Sequence, residues 1–137
     1  MSTIVVGYDG SDCARKALAT AIDVAKALGD EVHVVVAYEV HSRLGGEVAD
    51  FAAALRERAL HLGALASDQA AGLGFEVTTE VIDDRAHDAL ADVADQLQAR
   101  MIVVGSRGEG PLKRALVGSI PNKLLQVADR PVLVVPA

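Results

Sequence analysis

Cysteine occurs once in the 137 residues, at position 13, so no intrachain disulfide can form. Aromatic residues make up 3% and tryptophan is missing, which leaves no platform for stacking single-stranded bases. Cations are outnumbered, 13 Lys and Arg against 19 Asp and Glu, for a formal net charge of −6. A general DNA or RNA binder needs a basic face, so nucleic acid is not an expected partner. A field of this sign does not draw in a polyphosphate either; local amides, hydroxyls, a few cations or a bridging metal would have to hold one. No run approaches the ~20 apolar residues that cross a bilayer, and no basic segment precedes an apolar one as in a signal peptide. The expectation is a cytoplasmic chain with no membrane partner. Neither G-x-x-x-x-G-K-[ST] nor G-x-G-x-x-G occurs: after Gly108-Glu109-Gly110, Lys113 stands where the third glycine is required. His41, His61 and His87 share no metal-ligand spacing, and no Ser-His-Asp order or nucleophile elbow exists.

What is present is apolar and aliphatic. Five short runs are rich in β-branched residues: Thr3–Gly7, Val32–Tyr38, Phe75–Ile82, Met101–Val104 and Val132–Val135. Continuous runs of this kind mark strands covered on both faces, as in a parallel sheet; the third alternates in part and reads as half exposed. Between them lie helical periodicities. Ala14, Leu18, Ala21, Ile22, Ala25 and Leu28 mark a first helix, with Gly29 placed as its C-terminal cap. Val48, Phe51, Leu55, Leu62 and Leu65 mark a second; Ala86, Leu90, Val93 and Leu97 a third; Ile120, Leu124 and Val127 a fourth. Alternating strands and helices imply a doubly wound α/β sheet, an open α/β sandwich, and residues 1–137 read as one domain. Ligands in such sheets sit beyond the carboxyl ends of the strands.

Two loops fall there. One is Tyr8-Asp9-Gly10-Ser11. The other opens with Gly105-Ser106-Arg107-Gly108 and closes nine residues later with Gly118-Ser119, at the start of the fourth helix. Glycines let the backbone approach a ligand, and a helix N-terminus presents unpaired N–H groups with partial positive charge. Strand, glycine loop and helix start thus form a phosphate cradle. The competing reading gives these glycines to a surface turn and Ser119 to helix capping.

This G-x2-G-x9-G-S pattern, with Gly7-Tyr8-Asp9-Gly10-Ser11 after the first strand and Pro131–Val135 at the end, resembles the ATP-binding branch of the universal stress protein family. The resemblance spans essentially the whole chain. It implies a five-stranded parallel sheet with four helices and ATP at its carboxyl edge. Gly105, Gly108, Gly118 and Ser119 match the phosphate- and ribose-contacting positions, and Arg107 and Ile120 beside them join the same expected site. Asp9 matches the acidic residue near ribose and metal; beside a triphosphate it makes sense on a ribose hydroxyl or through Mg²⁺. Asp-Gly-Ser is equally an ordinary turn and N-cap signal. Ala37 or Tyr38 falls where relatives meet adenine with backbone groups.

The chain departs from the family pattern at Pro121, where many relatives carry Ser or Thr. Proline is tolerated in a first helical turn, yet it removes an amide and a hydroxyl that could face phosphate. Asp83-Asp84-Arg85-Ala86-His87 also differs, lacking the Gly and Pro common there. Lys113 and Arg114 read as a solvated loop, His33 as a packed or edge side chain, and Cys13 as a small buried residue. The expected function is an ATP-binding stress protein, regulatory or protective rather than a dedicated enzyme. The alternatives are a nucleotide-free interaction module and a slow ATPase. Relatives pair their final strands, which implies a homodimer through Val132–Val135.

Overall fold

A computed structural model describes residues 1–40, 47–107 and 117–137; His41, Gly108, Lys113 and Arg114 lie outside them. In chain order the elements are β1 (Thr3–Gly7), α1 (Asp12–Leu28), β2 (Glu31–Tyr38), α2 (Glu47–Gly72), β3 (Thr78–Asp83), α3 (Ala86–Gln96), β4 (Met101–Gly105), α4 (Ser119–Val127) and β5 (Val132–Val135). The strands form one sheet in the order β3-β2-β1-β4-β5, every neighbouring pair parallel. This is the five-stranded, four-helix α/β fold expected from the sequence.

Side chains alternate across the sheet, and each face is covered by its own pair of helices. Ile4, Val6, Val32, Val34, Val36 and Val103 pack with α1 and α2. Val5, Val35, Ile102 and Val104 pack with residues of α3 and α4 such as Leu90, Val93 and Leu124. Burial on both sides is why these strands read as unbroken apolar runs rather than alternating ones. Gly29 caps α1 in the left-handed region, φ 72°, its N–H donating to the Ala25 carbonyl.

One strand start and the facing of α2 differ from expectation. The third strand begins at Thr78, not Phe75: the Phe75 N–H donates to Ala70 O at 3.0 Å, closing α2 instead of joining the ladder. On α2, Phe51 and Leu65 are exposed at 55% and 42%, whereas Ala59, Ala66 and Ala70 face inward with Leu62 beside them. Small residues at Ala59, Ala66 and Ala70 let this helix lie close on β2 and β3, while the bulky Phe51 and Leu65 stand outside. Leu97 and Val127, expected on inward stripes, are exposed as well.

At the amino ends of the strands Asp30 is buried. Its carboxylate accepts from Arg100 Nε at 2.5 Å and Nη2 at 3.2 Å, and from the Ser2 N–H at 3.0 Å. The Arg100 hydrogen bond, against the opposing pull of burial, holds the Asp30 carboxyl below its ordinary range. The beginnings of β1, β2 and β4 are tied together there.

Candidate functional site

The opening follows from topology. β1 and β4 lie side by side at the centre of the sheet, with Ile4 beside Met101 and Val6 beside Val103. Beyond β1 the chain turns to α1 on one face; beyond β4 it feeds α4 on the other. Adjacent strands whose connections leave in opposite directions create a crevice at their carboxyl ends. A cavity of about 300 Å³ occupies it. That volume is at the small end of the usual range for ligand sites, roughly 300–1,000 Å³.

Its walls are apolar: Val35 and Ala37 of β2, Leu90 of α3, Val104 of β4, and Ile120 and Pro121 of α4. Its polar lining comes from Asp9, Arg107, Gly118 and Ser119. Val35 accepts the Tyr8 N–H at 3.0 Å, so its backbone groups face β1. Ala37, two residues on, faces the same way, and β1 pairing ends at Gly7 opposite Val35. The Ala37 N–H and C=O are therefore aimed into the crevice, a donor and an acceptor side by side. Tyr38 belongs to the other set: its carbonyl accepts from Asp84 N at 2.9 Å and its side chain packs on the α1–α2 face. Of the two positions expected for adenine, Ala37 lines the cavity and Tyr38 does not.

The two loops are built differently. After β1, Asp9 Oδ1 accepts the Ser11 N–H at 3.0 Å, Gly10 takes φ +81°, and Ser11 Oγ caps α1 by accepting the Ala14 N–H at 3.1 Å. Asp9 thus serves the ordinary turn and lines the cavity at once. After β4, Gly105 meets the body of α1. A Cβ there would lie 2.6 Å from Cys13 Cβ and 2.9 Å from its backbone carbon. Helix packing, not only ligand approach, demands glycine at that position. Ser106 donates its N–H to Val135 O at 2.8 Å and accepts the Gly118 N–H at 2.6 Å, which laces the start of α4 to the ends of β4 and β5.

Gly118, not Ser119, is the N-cap of α4 and supplies no capping side chain. Ser119 is the first helical residue. Its amide and that of Ile120 lie in the first turn, where no intrahelical carbonyl faces them. Cys13 is buried beneath this loop, its Sγ 3.8 Å from Ser106 Oγ. Burial pushes its thiol up, but hydrogen bonds from the Arg107 backbone and the Ser106 hydroxyl, with the Arg107 charge, bring it below the ordinary value.

Seven expected residues therefore share the cavity: Asp9, Ala37, Gly105, Arg107, Gly118, Ser119 and Ile120. The sequence reading missed Val35, Ala86, Leu90 and Val104 as cavity walls. Period-two spacing from Ala37 points to Val35, and the four-residue interval joins Ala86 to Leu90. Among the described residues no group of three His, Cys, Asp or Glu is arranged to hold a metal, so Asp9 is a lone carboxylate in that respect. No described helix is long and apolar enough to cross a membrane.

A crevice at the switch point of a doubly wound sheet, with a helix N-terminus on its rim, is the place where α/β folds of this kind hold small ligands. The universal stress protein family profile matches residues 1–136. A universal stress protein of Methanocaldococcus jannaschii is 29% identical over 136 residues, covering 96% of this chain and 80% of that one. One from Thermus aquaticus is 34% identical over 134 residues, 97% of each chain. Against the Mycobacterium tuberculosis relative the identity is 35% over 132 residues, 96% of this chain but 44% of the longer protein. Two solved structures share the fold. An Archaeoglobus fulgidus universal stress protein in complex with dAMP is 25% identical, with 98% of both chains covered and a TM-score of 0.76. A universal stress protein in complex with cAMP is 27% identical, with 98% of this chain and 96% of that one covered and a TM-score of 0.73. The chain belongs to the universal stress protein family.

Proposed function

We propose that this protein binds an adenine nucleotide in the β1–β4 crevice and acts as a regulatory or protective stress module, the nucleotide being ligand rather than substrate. The observation that carries the reading is one cavity in which the Ala37 backbone edge, the Asp9 carboxylate and the first turn of α4 converge. An adenine edge needs a neighbouring donor and acceptor, a ribose an acceptor, and a phosphate unpaired amides. The complexes of relatives with dAMP and cAMP support the same ligand class. ATP with Mg²⁺ belongs to this proposal: one carboxylate plus phosphate oxygens is a usual Mg²⁺ environment, and Asp9 supplies the carboxylate. A cytoplasmic setting belongs to it too, in keeping with a single cysteine.

Binding would add contacts at Arg107, Gly118 and Ser119 and so bias the surface offered to partners. Calorimetric titration of nucleotide-stripped protein tests the site. Wild type should bind adenine nucleotide, and the Gly118→Ala/Ser119→Ala double variant should lose that binding with its fold intact. Silence from the wild type up to millimolar nucleotide would return the glycines to turn-making and favour an interaction module. Hydrolysis abolished by Asp9→Ala, with ATP still bound, would move the reading to a slow ATPase.

The proposal includes a homodimer formed through Val132–Val135. β5 is an edge strand with β4 on one side only, and Leu133 is 36% exposed on it. Sedimentation at micromolar concentration should return twice the 14.2 kDa chain mass; the monomer mass would remove the dimer.

A further inference from the structure

The cavity ends, on its anion-holding side, in the first turn of α4. An N-cap side chain ordinarily takes a first-turn N–H, at the second or third helical position, and whatever it leaves is open to an anion. Here the N-cap is Gly118, which has no side chain and commits its own N–H to the Ser106 carbonyl at 2.6 Å. The third helical position is Pro121, buried and lining the cavity, with no N–H to give. The turn is left with two amides, those of Ser119 and Ile120, and the Ser119 hydroxyl beside them. Three donors satisfy the oxygens of one phosphate group. Asp9 and Arg107 line the same cavity with opposite charges, and the net −6 on the chain opposes each phosphate added.

We propose that Pro121 is a specificity-determining residue, making this pocket favour adenine nucleotides with a single phosphate over ATP. The inference rests on the adenine-nucleotide reading above and narrows it. Pro121 acts in two ways. Its ring closes the cavity wall next to Ile120, and its missing amide withholds the donor that a second phosphate group would use.

The test is calorimetric titration of AMP and of ATP, each with Mg²⁺, into wild type, Pro121→Ala and Pro121→Ser, with melting curves to establish that all three are folded. Wild type should bind AMP at least as tightly as ATP. Pro121→Ala restores the amide and should tighten ATP by about tenfold, the scale of one hydrogen bond to a charged group, while AMP changes by less than about threefold. Pro121→Ser adds the hydroxyl and should shift the ratio further toward ATP. A wild type preferring ATP by about tenfold, or an AMP-to-ATP ratio that is the same in all three proteins, overturns the role of Pro121 and leaves the nucleotide site standing. If neither nucleotide binds any of the three folded proteins, the adenine-nucleotide reading itself fails.

Discussion

Gly105 shows how a single missing methyl group can serve two neighbours. The carboxyl end of β4 runs against α1 so closely that an added Cβ would meet Cys13 Cβ at 2.6 Å and the Cys13 backbone carbon at 2.9 Å. Neither obstructing atom is the flexible end of a side chain. Gly105→Ala should therefore destabilise by about 1–3 kcal/mol, the usual cost of overpacking, seen as a lowered denaturant midpoint. Cys13→Ala, which keeps Cβ and backbone, should not rescue it. The motif glycine was visible in the sequence as a ligand-facing position; its contact with α1 was not, because nothing local in Gly105-Ser106 reveals what packs behind it. Asp9 illustrates the reverse. Its turn-making and its place in the cavity were both readable from Asp-Gly-Ser, and the residue does both.

Among the elements, α2 is marked in the sequence by bulky residues, of which Leu62 packs on the core and Phe51 and Leu65 do not. Phe51 and Leu65 point outward while Ala66 is fully buried against the sheet. Leu65→Ala should then change stability by no more than about 0.5 kcal/mol, whereas Ala66→Leu should cost about 1–3 kcal/mol; equal losses would contradict this register. Apolar periodicity finds a helix readily but fixes its facing only when size and burial go together, and in α2 the close approach to β2 and β3 separates them. The strands were better marked, because covering on both faces leaves β-branched runs that few other structures produce. β3, at the sheet edge, is displaced most at its start, by three residues: Phe75 and Val77 are apolar because they pack on the core, not because they pair. The cavity was half legible. The glycine loop and strand ends announced it, while Leu90 and Ala86 looked like any helix stripe.

For the molecule as a whole, the amino end of the sheet is tied electrostatically. Arg100 holds the buried Asp30 carboxyl below its ordinary range. A carboxyl with a lowered folded pKa stabilises above its unfolded value of about 4 and loses that contribution as pH falls through the folded value. Wild type should accordingly exceed Asp30→Asn in stability at neutral pH, and the gap should narrow as pH falls below about 4; a gap independent of pH would assign the cost of the variant to packing alone. The seam between α1 and β4 has a separate consequence. Its thiol is the chain's only one and is 4% exposed, so a cysteine reagent has a single target that it can reach only while the protein momentarily parts. The labelling rate is then a clock for that parting, set beside the crevice, and whatever fills the crevice should slow it.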